Sequence, residues 1–262
     1  MEMILGPFAR GEAAYDEGAL AYQFFLDRLI AQGVMIDVGA HVGGALRPFR
    51  RDGWTVHAFE PDPANRHHLL AEVEACTNVV VNAKAIAEKD GELIDFYSSP
   101  ESTGVSSLSP FLDSHARSAQ VETARLDTYL EANGVHDVDY LKVDTEGHDL
   151  FVLRTFPWQD IRPRVVTCEF EDNKTKRLGY SADDLAEFLI AQGYFVLVSQ
   201  WHPIVRYGIA HDFFGLLHYK PDAIPTESWG NFLAVRSRSD LNEMAITARR
   251  HGATLRAPSQ AG

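Results

Sequence analysis

Acids and glycines cluster where apolar runs of this chain end, and those positions have the types and spacing to bind a nucleoside. Residues 34–38, VMIDV, read as a buried strand that runs into Gly39-Ala40-His41-Val42-Gly43-Gly44. A helix-length segment follows, then a second apolar run, 54–59, ending on Glu60. Glycine adopts positive φ and allows close backbone approach, so Gly39 and Gly43 suit a turn that wraps a ligand. Glu60 falls about 20 residues beyond Gly39, where a doubly wound fold places an acid for ribose hydroxyls. A dinucleotide turn keeps glycine at its middle position so that a pyrophosphate can approach the backbone; here that position is His41. Asp37, just before the turn, repels a diphosphate but can hold an amino group. An acid before the turn and an acid after the second strand favour S-adenosylmethionine over NAD. The plain alternative is a tight strand-to-helix turn shaped by glycine, with Glu60 a surface charge.

A second group of acids follows the later apolar runs. DYLKV (139–143) leads into Asp144-Thr145-Glu146-Gly147-His148, and VVTCEFEDN places Glu169, Glu171, Asp172 and Asn173 at the end of its strand. Ligands of open α/β sheets bind beyond the carboxyl ends of the strands. Strand alternation puts Glu169 and Glu171 on one face, where two carboxylates need a partner to be buried. In one reading Asp144, Glu169 and Glu171 hold a hard cation such as Mg²⁺. In the other, Asp144 caps the next helix, Glu146 complements its dipole and Glu171 is solvated. His148, on the first helical turn, is a candidate general base because imidazole titrates near neutrality. His202, His211 and His218 lie among Trp201, Tyr207, Phe213, Phe214 and Tyr219. These residues either line an acceptor pocket for a sugar or polyketide, or pack their segment onto the core.

The elements that must position these groups alternate. Residues 12–32 read as an amphipathic helix with Leu20, Phe24, Leu26 and Ile30 among its apolar positions and Gly33 as its stop. Pro48 bends or delays the helix after the glycine turn. Residues 61–75 form the next helix and 78–81 a third strand. KAIAEKDGELIDFYSS shows a Lys-Asp-Gly turn between β-type residues, a hairpin extending that edge. Residues 99–118, rich in Ser and Pro, read as a long mobile loop. A helix over 126–132, strands over 139–143, 164–170, 194–199 and 231–235, and helices over 181–192 and 239–250 complete the pattern. Such alternation specifies an α/β, doubly wound, mostly parallel sheet with helices on both faces. We expect a single domain over 1–262: the N-terminal helix, a core of 34–199 plus 229–250, an irregular insertion over 200–229, and a flexible tail over 251–262.

Composition narrows the functional classes. With 24 Lys and Arg against 37 Asp and Glu, the formal net charge is −13, which argues against a broad nucleic-acid or anionic-membrane surface. Arg47, Arg50 and Arg51 form a local basic cluster of the kind found on solvated helix faces. Cys76 and Cys168 make neither a disulfide framework nor a cysteine zinc site. No signal peptide or run of roughly 18 apolar residues is present, so a cytoplasmic location is expected.

Five segments together resemble a known family. MIDVGAHVGG, AFEPDP, AIAEKDGELIDFY, TGVSSL and LKVDTEGHDLFVL are similar to segments of the FkbM-type S-adenosylmethionine-dependent methyltransferases, class I methyltransferases of Rossmann-like fold. The similarity spans roughly 34–171, with a weaker echo at WGNFLAV. It implies a seven-stranded sheet whose last strand is antiparallel, and methyl transfer to a hydroxyl of a sugar, glycan or natural-product acceptor. It implies that Asp37, Gly39 and Gly43 contact the methionine end, Glu60 the ribose and Asn82 the adenine. It also implies that Asp144, Glu146 and His148 face the transferred methyl. His41 stands where the family more usually has Asn. Two rivals remain at this stage: an NAD-dependent sugar oxidoreductase, and a nucleoside-binding protein without turnover.

Overall fold

The computed structural model describes residues 3–5, 16–209 and 211–251. In chain order its elements are β1 (Met3–Leu5), α1 (Glu17–Asp27), β2 (Val34–Val38), α2 (Arg47–Arg51), β3 (Thr55–Phe59), α3 (Pro63–Val73) and β4 (Val79–Asn82). Next come β5 (Ala85–Ile86), β6 (Leu93–Ser99), β7 (Ser102–Ser107), β8 (Ala116–Ala124), α4 (Leu126–Ala132), β9 (Tyr140–Val143) and α5 (Asp149–Arg154). The rest are β10 (Val165–Glu171), α6 (Asp172–Thr175), α7 (Ala182–Ala191), β11 (Phe195–Trp201), β12 (Phe213–His218), β13 (Trp229–Val235) and α8 (Arg238–His251). The chain divides into two compact units, Ala31–Arg164 and Met1–Ile30 with Val165–Gly262.

In the Ala31–Arg164 unit four strands lie parallel in the order β9-β2-β3-β4. Interior parallel strands are covered on both faces and therefore read as continuous apolar runs. Met35, Ile36, Val56, Ala58, Leu141 and Val143 are accordingly fully buried. Phe49 of α2 packs edge-on to Trp54 at 5.0 Å and lies 5.2 Å from Tyr140. Each such buried ring contributes about 1.5–3 kcal/mol. The register sets Asp37 opposite Lys142 and Phe59 opposite Asn82, which brings the carboxyl ends of four strands level.

Two expectations change within this unit. The segment 84–99 does not extend the β4 edge as a hairpin. It contributes to a separate four-stranded sheet of order β5-β8-β6-β7, in which β5 pairs in parallel with β8 rather than with β6. Residues 99–118 are not one long loop either: they include β7 and the start of β8. Serine and threonine weaken an apolar pattern, so the segment looks like a loop, but its hydroxyls make tertiary hydrogen bonds. A small core of Ala85, Phe96 and Val121 supports this second sheet.

In the other unit the strands run β1-β12-β11-β13-β10, each antiparallel to its neighbours. β13, the last strand, pairs antiparallel with both β10 and β11, as the resemblance implies. The two units hold four and five of these strands rather than seven in total, because β1 and β12 are added. The expected irregular insertion contains β12 and lets β11 run on to Trp201. The N-terminal helix is shorter than expected. It starts behind Asp16, whose side chain accepts the Ala19 N–H at 2.9 Å, and ends before Leu29, at φ 57°, well short of Gly33. Leu20, Ala21, Phe24 and Phe25 are its buried face, and Leu26 is exposed. Residues 12–15 and the expected tail over 252–262 lie outside the described residues. Ser181 and Asp184 close a reciprocal capping box on α7. Among the described residues no helix is long and apolar enough to cross a membrane.

Candidate active site

The level strand ends of the Ala31–Arg164 unit carry most of the expected site residues. Gly39 has φ 78°, and a Cβ there would lie 1.8 Å from the Asp144 carbonyl oxygen. The turn after β2 and the tip of β9 thus touch backbone to backbone, which only glycine permits. Gly43 has φ 88°, and His41 between them is left-handed too, at φ 50°. His is among the few non-glycine types enriched in that region, as is Asn, so the departure from Asn keeps the backbone shape.

That conformation aims the His41 N–H at Glu60. Glu60 Oε2 accepts it at 2.7 Å, and Oε1 accepts the Asp62 N–H at 2.8 Å. Glu60 is 5% exposed, and burial pushes its carboxyl up to about 7. Two backbone donors orient the group and leave each oxygen a further lone pair. Asn82 Nδ2 donates to the Tyr129 hydroxyl at 2.8 Å, and His57 Nδ1 lies 2.9 Å from the same oxygen. The Tyr129 ring stands edge-on to Phe59, 4.7 Å away.

Asp37 is fully buried, and neither carboxylate oxygen has a hydrogen bond among the described residues. Its neighbour is the ammonium of Lys142, 3.1 Å from Oδ1. Lys142 donates to the Gly39 carbonyl at 2.9 Å and lies 3.6 Å from Asp144 Oδ2. Burial pushes the Asp37 carboxyl up, against the pull of Lys142. Burial also pushes Lys142 down, but Asp37 and Asp144 more than reverse this and raise it above its ordinary value. Sequence reasoning missed Lys142. The signal was available: one lysine inside an apolar strand, in register with the one acid of its neighbour.

Beyond β9 the chain turns sharply, with Glu146 at φ 55° and Gly147 at φ 100°. Asp144 does not cap α5; His148 occupies the N-cap without a side-chain hydrogen bond, while buried Asp149 accepts from the Thr145 hydroxyl at 3.0 Å. His148 Nε2 lies 2.9 Å from Ser109 Oγ. Burial lowers its pKa to about 4, so the expected titration near neutrality gives way to a ring that is neutral across the physiological range. Ser109 belongs to a row of hydroxyls on and just after β7, also missed. Thr103 Oγ1 meets His41 Nε2 at 3.0 Å, Ser106 donates to Asp62 at 3.0 Å, and Ser107 donates to the Glu146 carbonyl at 3.0 Å. The TGVSSL block therefore ties the second sheet to the turns that follow β2, β3 and β9.

The three carboxylates expected to hold a cation each lie beside a lysine of their own unit. Asp144 has Lys142, as above. In the antiparallel unit Lys174, 2% exposed, lies 3.1 Å from Glu169 Oε2 and 2.8 Å from Glu171 Oε2. Glu171 is 4% exposed rather than solvated, and it accepts the Tyr207 hydroxyl at 3.1 Å. The histidines of 200–229 sit against aromatic rings: His202 edge-on to Phe214 at 5.4 Å, His211 edge-on to Trp229 at 5.1 Å. His218 ends β12.

Residues 37–196 match the model of the methyltransferase FkbM domain. The search of curated proteins returned no match. Among solved structures the chain is similar to precorrin-6y C5,15-methyltransferase from Geobacter metallireducens, with 13% identity, 90% of this chain and 99% of that one covered, and a TM-score of 0.41. It is also similar to magnesium protoporphyrin IX methyltransferase from Synechocystis PCC 6803 with bound SAM (12%, 84% and 77%, 0.40). A third is an rRNA methylase from Streptococcus thermophilus (10%, 77% and 95%, 0.41).

Proposed function

The chain belongs to the FkbM methyltransferase family and is an S-adenosylmethionine-dependent methyltransferase, and from that premise we propose that it methylates a hydroxyl of a sugar, glycan or natural-product acceptor. The observation that carries the site assignment is the clamp between the first turn and Glu60: a left-handed His41 aims its N–H at an acid held by a second backbone donor. The donor set fits a nucleoside sulfonium. Glu60 has lone pairs left for the ribose diol, and buried Asp37, held at Oδ1 by Lys142, keeps Oδ2 for an amino group. Asp37 and the Gly39–Gly43 turn, including His41, take the methionine end; Asn82, steadied by Tyr129, borders the adenine. Lys142 positions Asp37 and the turn.

When bound, S-adenosylmethionine supplies an electrophilic methyl on its sulfonium. The protein must hold the acceptor oxygen in line with it, and positioning alone contributes about 7–11 kcal/mol in well-oriented systems. As the oxygen–carbon bond forms and the carbon–sulfur bond breaks, the hydroxyl proton has to leave. His148, neutral and facing Ser109, takes that proton, and Asp144 and Glu146 border the same space. Asp144 is already beside Lys142, and Glu169 and Glu171 are already beside Lys174, so we propose base-assisted rather than metal-assisted transfer. Turnover that persists after complete EDTA treatment is the expected result, and turnover restored only by Mg²⁺ would reject this version.

Calorimetry checks the cofactor assignment. S-adenosylmethionine and its demethylated product should bind while NAD does not; NAD binding would favour the oxidoreductase. Incubation with labelled cofactor and a panel of hydroxylated acceptors tests turnover. Binding without label transfer to any acceptor would favour the non-catalytic reading.

A further inference from the structure

The strand that leads to Glu60 carries one polar ring in an otherwise apolar run. His57 of β3 is 7% exposed, and burial holds its pKa below the ordinary imidazole value, so the ring is neutral. A neutral imidazole keeps one N–H and one bare nitrogen. His57 and Phe59 share a face of β3, because residues two apart in a strand point the same way. Tyr129 of α4 lies across that face, its ring edge-on to His57 at 5.7 Å and to Phe59 at 4.7 Å. Its hydroxyl thus sits between polar groups of two neighbouring strands: His57 Nδ1 at 2.9 Å and, on β4, Asn82 Nδ2 at 2.8 Å.

A phenol has a single hydrogen to give, and burial pushes the Tyr129 pKa up, so the hydroxyl keeps it. With Nδ1 as the acceptor, that hydrogen points at His57, and only lone pairs are left for Asn82. The donor end of the Asn82 amide must meet them, which turns its Oδ1 away from Tyr129. Asn82 is half-buried, and Oδ1 has no partner among the described residues. An asparagine free to turn offers a donor or an acceptor with equal ease; this one is set to accept. An acceptor suits adenine, which carries an amino group at position 6, and repels a purine with a carbonyl there.

We propose, resting on the assignment of Asn82 to the base of the cofactor, that His57 acts through Tyr129 to fix the Asn82 amide. Its Oδ1 then selects a 6-amino purine over a 6-oxo purine, and His57 and Tyr129 are positioning residues. Calorimetry on the full chain compares S-adenosylhomocysteine with S-inosylhomocysteine, whose purine is 6-oxo. The parent should favour the adenosyl compound by about 100-fold, because two facing acceptors exclude the other. Tyr129→Phe frees the amide to turn, so the preference should fall to about ten-fold, mostly because the inosyl compound binds better. His57→Phe should act likewise, since Tyr129 can then donate to Oδ1 and reverse the amide; it serves if Tyr129→Phe does not fold. Adding Asn82→Asp to Tyr129→Phe should restore the preference, because a carboxylate accepts at both oxygens. A merely structural role would weaken both compounds alike in the single variants, and that result overturns the proposal. So does a preference that survives undiminished in both of them. If neither compound binds the parent, the cofactor assignment fails and this one with it; equal binding of the two rejects the orienting role alone.

Discussion

Lys142 in the parallel unit and Lys174 in the antiparallel unit hold the same kind of charge cluster in different surroundings. Each ammonium is largely buried and shared by two carboxylates: Asp37 and Asp144 in one case, Glu169 and Glu171 in the other. The third contact separates them. Lys142 donates to the Gly39 carbonyl, so its cluster fixes the backbone of the turn after β2, which is proposed to take the cofactor. Lys174 lies 5.8 Å from the centre of the Tyr207 ring, and Tyr207 in turn donates to Glu171, so its cluster fixes the segment after β11. One electrostatic device thus holds a strand-end backbone in one unit and a side chain in the other; on the proposed site, the first serves recognition and the second architecture.

Removing each lysine tests that contrast most severely. Breaking a buried ion pair from one side costs about 3–5 kcal/mol because a charge is left uncompensated. Lys142→Met and Lys174→Met should both lower the free energy of unfolding, read from urea titration, by that amount. Only the first should weaken S-adenosylmethionine binding; equal cofactor affinity in the two variants would erase the distinction. Next in size, His148→Ala should cut kcat by about 10²–10⁴-fold while cofactor affinity stays put, and parental kcat would remove the base assignment. In the parent, the acid limb of the kcat/KM profile from His148 should have its midpoint near 4, because burial favours the neutral ring. A midpoint near 6.5 would mean that the ring is solvated before it reacts.

Glu60 gives a subtler comparison. Burial raises its carboxyl to about 7, so raising the pH ionises it and, on the proposed ribose assignment, strengthens its acceptance of the ribose hydroxyls. S-adenosylmethionine affinity should therefore tighten about ten-fold between pH 6 and pH 8, and Glu60→Gln should flatten that dependence. The same shift acts on stability with the opposite sign. The folded carboxyl is raised above its unfolded value, so its contribution is full below pH 4.5 and lost as pH rises through about 7. Smallest is Gly44→Ala. A Cβ there meets nothing within 4 Å, so the variant should gain about 0.4–1 kcal/mol, whereas the same change at Gly39 should disrupt the turn.

Much of the parallel half was legible because buried parallel strands spell themselves out. VMIDV, WTVHAF and DYLKV are near-continuous apolar runs, and the acids and glycines that punctuate them fall at the strand ends. His41 was read as a departure from pattern, and the backbone explains it. What escaped notice depends on register between distant segments. Lys142 meets Asp37 across more than a hundred residues, and Tyr129 reaches Asn82 from a helix. The row Thr103, Ser106, Ser107 and Ser109 looked like loop composition because hydroxyls show no periodicity. The expected helix stop at Gly33 failed for a local reason: Leu29 takes the left-handed conformation first. In the antiparallel half, Glu169 and Glu171 were recognised as needing a partner, but Lys174 was not seen to be it.

Two consecutive residues after β9, Glu146 and Gly147, share the left-handed conformation, and only one of them is glycine. A glutamate there costs about 1–2 kcal/mol of backbone energy that a second glycine would release. Thermostability screens on this protein should therefore enrich Glu146→Gly, a variant that gives up, on the proposed site, a carboxylate next to His148 for heat resistance. A selection that scores melting alone would drift toward a sturdier, slower enzyme; scoring turnover alongside it keeps the glutamate.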